Sequence, residues 1–313
     1  MEKLDAELGD VRARIGDLEE ILSSQPRRLL IISDELRELA EKYGDERKTE
    51  IAGASSDLEV EDLIADEDMV ITVSHQGYVK RVPVDTYRAQ RRGGRGLQGM
   101  GTKEEDWVEH LFVASTHDYL MVFTRSGKCH WLKVWQIPEG GRHARGKPIV
   151  NLLNMVPNEE VAALVPVRDF SDDLYLFFST RRGVVKKTAL SAYGNIRAVG
   201  LNAINVRDGD ELIGVNIIGG GSQVILATRS GMAIRFREGD VRPTGRSTEG
   251  VRGIALGGDD QVVGVVVTYD GCTLLVVTEH GMGKRSEVDE YRLQRRGGKG
   301  VINMRVTDRT GSV

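Results

Sequence analysis

Apolar residues near the start of the chain recur every three or four positions. Leu4, Leu8, Val11, Ile15, Leu18 and Leu22 alternate spacings of four and three, which puts them on one stripe of an amphipathic helix or short coiled coil. Ser23-Ser24-Gln25-Pro26 interrupts the stripe, because proline starts helices far better than it continues them. A second helix is predicted from Pro26 to about Tyr43, burying Leu29, Leu30, Ile32, Leu36 and Leu39 and ending at Gly44. The stripe reads as a packing element that docks on something outside this chain. Ala52 to Glu59, AGASSDLE, is small and polar and reads as a linker.

From Met69 onward the period changes. Short runs of Val, Ile, Leu, Phe and Tyr are each followed by a tight glycine turn and a second run ending in Lys or Arg. MVITVSHQGYVKR, LMVFTRSGKCHWLK, LYLFFSTRRGVVKK, VILATRSGMAIRFR and LLVVTEHGMGKR are five versions of one hairpin. Their turn glycines, Gly77, Gly127, Gly183, Gly231 and Gly281, stand at intervals of 50, 56, 48 and 50. A second glycine follows each after 17 to 19 residues: Gly96, Gly146, Gly200, Gly250 and Gly300. An apolar run, an acidic turn and another strand complete the unit. Repeats of about 50 residues with roughly four short strands predict a mainly β fold of radially arranged blades, preceded by a short α-helical segment. Five repeats are visible, and VTDRTGSV at the end looks like the first residues of a further strand, leaving a sixth repeat incomplete.

Composition fits a folded chain. Of 313 residues, 40% are hydrophobic and 29% charged, no run approaches the ~18 apolar residues of a membrane span, and the acidic N-terminus does not resemble a signal peptide. The expectation is a cytosolic protein. Cys129 and Cys272 lack metal-site spacing and read as buried, reduced thiols. Charge is divided unevenly: residues 1–68 carry 9 Lys and Arg against 21 Asp and Glu, a balance of −12, which leaves 34 against 26, or +8, for residues 69–313. The repeats are therefore basic, which points to an anionic partner.

One basic string occurs twice. QRRGGRG, Gln90 to Gly96, returns as QRRGGKG, Gln294 to Gly300, 204 residues or about four periods later. Paired glycines permit positive φ and close approach of backbone N–H groups to an anion, while interspersed cations supply charge and bidentate donors for phosphate. The string reads either as a sequence-tolerant phosphate clamp or as a blade-connecting turn with solvated arginines. Cations recur at the same turn elsewhere: Arg142, Arg145 and Lys147, then Arg197, then Arg246 and Arg252. Lys80-Arg81, Lys186-Lys187, Arg235, Arg237 and Lys284-Arg285 mark strand ends. If these face outward they form a belt able to bend DNA by neutralising one side, and otherwise they are edge-strand charges. His75, His117 and His280 belong to no catalytic set, so turn or surface roles are expected, and Trp107, Trp131 and Trp135 are expected to fill blade cores.

These residues carry a family resemblance. QRRGGRG matches the GyrA-box, the signature heptapeptide of the C-terminal domain of bacterial DNA gyrase A proteins. YGDERKTEI, EDMVITVSHQGYVKR, ARGKPIVNLL, DGDELIGV and GVRGIAL look like the same protein family. The resemblance implies a β-pinwheel, a six-bladed relative of the propeller with strands exchanged between neighbouring blades. It places residues 1–51 at the end of the upstream breakage-reunion domain, 52–62 in a linker and 63–313 in the pinwheel.

It further implies that duplex DNA follows the basic outer rim in a positive-handed wrap, closed by Gln90, Arg91, Arg92, Gly93, Gly94, Arg95 and Gly96. In the holoenzyme this wrap supports ATP-dependent negative supercoiling. The nucleophilic tyrosine, metal site and ATPase lie elsewhere, so the chain is expected to hold no catalytic residue or cofactor, ATP and magnesium belonging to the holoenzyme. Implied partners are duplex DNA, the rest of the gyrase A polypeptide and the gyrase B polypeptide, with no membrane and a monomeric fragment in the bacterial cytoplasm at the nucleoid. The intact second copy departs from the family pattern and suggests a second clamp at Gln294, Arg295, Arg296 and Lys299. The incomplete sixth repeat leaves a closed ring or an open spiral, and no acidic C-terminal tail is present. Three rivals stand: the equivalent polypeptide of topoisomerase IV, which generally lacks an intact heptapeptide; a protein-binding propeller, which predicts an apolar face and little salt response; and an enzyme, for which no motif appears.

Overall fold

The computed structural model describes residues 2–45, 60–87, 96, 98–156, 159–195, 197 and 199–313. The chain separates into two compact units, Met1–Leu58 and Glu59–Val313. In the first, α1 (Glu2–Ser23) and α2 (Gln25–Tyr43) meet at Ser24, whose extended backbone (φ −105°, ψ 110°) breaks the helix just before Pro26. Gly44 ends α2 with its N–H on the Ala40 carbonyl at 2.8 Å. The expectation that α2 buries its apolar residues is corrected: Leu29, Leu30, Ile32, Leu36 and Leu39 are each at least half exposed. Two helices alone offer no third surface to cover the stripe.

The second unit is a β-pinwheel. Blade 1 pairs the hairpin Asp68–Ser74 and Tyr78–Pro83 with an inner strand, Val108–Ser115, and a two-residue outer strand, Lys147–Pro148. Blade 2 uses Tyr119–Thr124, Lys128–Lys133, Val161–Val167 and Leu201–Asn202. Blade 3 uses Tyr175–Thr180, Val184–Ala189, Leu212–Ile218 and Val251–Arg252. Blade 4 uses Gln223–Thr228, Met232–Arg237, Val262–Thr268 and Val301–Ile302. In every case the outer strand comes from beyond the next hairpin, so each repeat reaches back to finish the blade before it. Blade 5 is the hairpin Thr273–Val277 with Gly283–Glu287.

The five hairpins share one cause. Gly77, Gly127, Gly183, Gly231 and Gly281 all have φ between 75° and 89°, a region in which a side chain is strained. In blades 2 to 4 the runs before them are continuous rather than alternating because those hairpin strands are sandwiched between two neighbouring blades. Leu120 and Val122 face the core shared with blade 1, whereas Met121 and Phe123 face that shared with blade 3. Phe178 meets Phe123 edge-on at 5.6 Å while its neighbour Phe177 points the other way, to Phe236. At about 25 cal/mol per Å² of apolar surface, such rings dominate the adhesion between blades.

Blade 5 has a core on one side only. Leu274 and Val276 are buried, but Leu275 and Val277 are 65% and 52% exposed. Val313 donates its N–H to the Arg229 carbonyl at 3.1 Å, as Leu212 does to Arg125 and Val262 to Arg181. Leu212 and Val262 begin the inner strands of blades 3 and 4, and Val313 makes the equivalent bond for blade 5.

Candidate nucleic-acid interface

The segment that reaches back, here called the arm and numbered by the repeat it comes from (arm 2, 139–148; arm 3, 194–202; arm 4, 243–252; arm 5, 293–302), grips the preceding blade at two points. Its first half runs parallel to the outer hairpin strand: Gly140 N–H donates to the Arg81 carbonyl at 3.1 Å, Thr244 to Lys187 at 2.8 Å and Gln294 to Arg235 at 2.9 Å. Its second half returns antiparallel as the two-residue strand. Between the two grips the chain bulges outward, and the second glycine closes the bulge. Gly146, Gly200, Gly250 and Gly300 have φ between 75° and 98°. A Cβ at Gly146 would stand 2.3 Å from the Val79 carbonyl oxygen, and one at Gly250 would stand 2.5 Å from that of Val185. Only glycine lets the arm lie this close to the blade.

Inner strands of blades 2, 3 and 4 touch in succession, so the arms lie on the opposite, peripheral edge. Here the predicted cations are found. Arg145, Lys147, Arg197, Arg252, Arg295 and Lys299 are exposed, as is Gly96; Arg142, Arg246, Gln294 and Arg296 are half-buried. Arg145 and Lys103 sit over the Tyr78 ring at 5.8 and 5.1 Å, and Lys103 also donates to its hydroxyl at 2.9 Å. Gln90, Arg91, Arg92, Gly93, Gly94 and Arg95 lie outside the described residues. Sequence reasoning overlooked Lys103 and the exposed pair Arg242 and Arg292. Both of the latter fall eight residues before the arm glycine, a recurrence that was available in the repeat register.

The strand-end belt is corrected. Lys80, Lys186, Lys187 and Arg235 are buried, at 0%, 1%, 5% and 7% exposure. Lys80 Nζ donates to the carbonyls of Gly141 at 2.9 Å and Arg142 at 2.6 Å; Lys186 Nζ donates to those of Ala203 at 2.7 Å and of Arg246. These ammonium groups hold arms from beneath. Burial, reinforced by nearby Arg246, pushes the Lys186 ammonium down to about 7, and burial lowers Lys80 as well. One residue along, Arg81 donates to the Ile137 carbonyl at 2.8 Å, Lys187 pairs with Glu238, and Arg235 donates to the carbonyls of Val288 at 2.8 Å and Tyr291 at 3.1 Å. Those acceptors belong to the next repeat, so these cations join blades. Arg237, Lys284 and Arg285 do remain exposed.

Other expectations divide similarly. Trp131 is buried and Trp135 half-buried, but Trp107 is 53% exposed and stacked on His75 at 4.0 Å, outside any blade core. Cys129 is buried, and burial pushes its thiol well above the usual range, whereas Cys272 is only half-buried; both are free. A cleft of about 390 Å³ between blades 1 and 2 holds His75, Glu109, His110, Glu159 and Glu160. Its charges are spoken for: Glu160 pairs with Arg125 at 2.9 Å, His75 with Glu109 at 3.2 Å, and Glu159 accepts from Thr124 at 2.7 Å. Among the described residues no group of three or more His, Cys, Asp or Glu is arranged to hold a metal, and no helix is long and apolar enough to cross a membrane.

The blades coincide with a known repeat. Residues 68–115, 118–168, 174–218, 222–268 and 273–313 match the family model described as DNA gyrase C-terminal domain, beta-propeller. The chain is 50% identical over 312 residues to the DNA gyrase A protein of Clostridium acetobutylicum, covering 100% of this chain and 38% of that protein. It is 46% identical over 290 residues to the DNA gyrase A protein of Salmonella typhimurium, covering 93% of this chain and 33% of that one. It thus spans about a third of the length of the curated relatives it matches. A solved DNA gyrase A C-terminal domain superposes with TM-score 0.67 at 28% identity over 79% of this chain and 81% of that one. The C-terminal domain of DNA topoisomerase IV gives 0.65 at 29% identity, over 80% and 76%. With five blades in register with five family repeats and gyrase A relatives along its whole length, the chain belongs to the DNA gyrase A C-terminal domain family.

Proposed function

We propose that the β-pinwheel binds duplex DNA along its arms and wraps it in a positive-handed sense, as the C-terminal part of a gyrase A protein. The observation that carries this reading is the placement of exposed Arg and Lys on outward bulges at the same peripheral position of successive blades. Bulged backbone with cations meets phosphates without reading bases, so binding is sequence-tolerant. A curved series of such contacts favours bent DNA. The gyrase relatives support a place in gyrase over one in topoisomerase IV, and the exposed arm cations support DNA binding over a protein-binding propeller.

In the same reading the first heptapeptide, Gln90 to Gly96, closes the wrap, and Arg142, Arg145, Lys147, Arg197, Arg246 and Arg252 line its path. Arg295 and Lys299 lie at its far end, on the arm that also carries Gln294 and Arg296. The chain supplies no catalytic residue and no cofactor site. Strand cleavage, ATP and magnesium reside with the rest of the gyrase A polypeptide and with gyrase B, and the wrap feeds a DNA segment to them for negative supercoiling at the nucleoid. The fragment itself is a monomer.

Salt dependence tests the binding surface. Each phosphate neutralised contributes about −0.9 to the slope of log K against log salt. Replacing Arg142, Arg145 and Lys147 with alanine is therefore expected to flatten the slope by about 2 to 3 units on duplexes of any sequence. An unchanged slope would remove arm 2 from the interface.

A further inference from the structure

Two arms are held from beneath by a lysine, and the second heptapeptide is not. In blades 1 and 3 the buried Lys80 and Lys186 take the carbonyl four residues before the arm glycine, that of Arg142 or Arg246. The same position in blade 4 is Ile234, fully buried and unable to donate. The arm that crosses it, Gln294 to Gly300, is fastened from outside by its own side chain. Arg296 Nε donates to the Asp240 carbonyl at 2.8 Å, and its Nη1 donates to the Arg252 carbonyl at 3.1 Å. Asp240 ends the turn after the blade 4 hairpin, and Arg252 lies in the outer strand of blade 3. Backbone bonds follow the same line: Gly297 N–H donates to the Gly253 carbonyl at 2.6 Å, and Ala255 N–H donates to that of Gly298 at 2.9 Å.

The glycines and the other cations complete the arrangement. Gly297 and Gly300 have φ of 81° and 79°, and a Cβ at Gly300 would stand 2.2 Å from the Ala233 carbonyl oxygen. Arg295 and Lys299 are exposed, and among the described residues no hydrogen bond, ion pair or ring contact engages either. A guanidinium whose fork already serves two carbonyl oxygens has its plane fixed against the protein, whereas the other two cations are free to meet an anion.

We propose that the second heptapeptide is a clasp with divided labour: Arg296 is a positioning residue that fastens arm 5 across blade 4 to the outer strand of blade 3, and Arg295 and Lys299 alone meet phosphates. The phosphate half rests on the reading of the rim as a DNA surface; the clasp half does not. The first half predicts faster opening of the arm without Arg296. The second predicts a salt slope that depends on the other two.

The test uses the whole chain with Arg296→Ala, Arg296→Lys and the double variant Arg295→Ala/Lys299→Ala. Amide hydrogen exchange at Gly297 and Ala255 is measured without DNA, and the salt slope of binding is measured on a mixed-sequence duplex. Both Arg296 variants are expected to raise exchange at these amides at least tenfold, with Arg296→Lys leaving the slope unchanged. The double variant should exchange like the parent and lose about 2 units of slope. Parental exchange in both Arg296 variants overturns the clasp. A slope that falls with Arg296→Ala and not with the double variant overturns the division of labour. Salt-independent binding by the parent overturns the phosphate half together with the rim reading, and the exchange comparison still decides the clasp.

Discussion

Lys186 shows how a side chain that looks like a surface cation becomes a structural one. Its ammonium lies beneath arm 4 with two carbonyl acceptors and without a carboxylate. Burial, with Arg246 nearby, brings it from the ordinary 10.5 to about 7. Between those values the unfolded chain holds a proton that the folded chain lacks, so this group makes stability rise with pH, by at most about 1.4 kcal/mol per unit. Below about 7 both states are protonated and that gain is absent. Denaturant unfolding between pH 7 and 9.5 is expected to show a steeper rise in the parent than in Lys186→Met, and parallel curves would contradict the assignment. Glycines make the opposite contrast, since their roles were legible from spacing alone. Gly250→Ala places a Cβ 2.5 Å from the Val185 carbonyl oxygen at φ 98° and is expected to cost about 2 kcal/mol or more. Gly220→Ala, with nothing within 4 Å, is expected to lie within about 0.5 kcal/mol of the parent by the same denaturation.

At the level of elements, hairpins and turns could be read because their causes are local: an apolar run, a glycine with positive φ and a polar run. What covers the second strand could not, because the covering arm arrives from about 60 residues further along, as Lys186 and Arg246 show. Nothing local in Val184–Ala189, VVKKTA, therefore signals that Lys186 and Lys187 are buried together. Partners distant in sequence also explain Trp107, which lies one residue before the blade 1 inner strand and stacks on His75 of the hairpin turn instead of entering a core. Arg235 joins blades 4 and 5 through the carbonyls of Val288 and Tyr291, while its Nε donates to the Gln223 side chain within blade 4. Arg235→Ala leaves the Tyr291 carbonyl without its donor and the Val288 carbonyl with the Tyr291 N–H alone, and a loss of about 1 to 3 kcal/mol is expected. The accompanying gain in hydrogen exchange should concentrate in residues 272–291. Uniform exchange across all blades would show that Arg235 does not join these two in particular.

At the scale of the whole pinwheel, the basic balance of residues 69–313 is sorted by position. Basic character in residues 69–313 is carried by the arm bulges and by the exposed Arg237, Lys284 and Arg285, whereas Lys80, Lys186, Lys187 and Arg235 are consumed in joining repeats. The arms are not equal. Arm 2 has Arg142, Arg145 and Lys147, whereas arm 3, residues 194–202, has Arg197 as its one cation. Contact with DNA is accordingly expected to be strongest toward the two ends of the series. Periodicity made the pinwheel legible, and the heptapeptides marked two of its arms, but their partners within the protein became visible only once neighbouring repeats were brought together. The central claim is that these arms bend duplex DNA around the rim in one sense. The most direct test relaxes a nicked plasmid with ligase in the presence of the chain, removes the protein and reads the linking number, for the parent and for Arg91→Ala/Arg92→Ala. A positive shift that grows with protein and collapses in the variant is the predicted result; binding with no shift in the parent would contradict chiral wrapping by this chain.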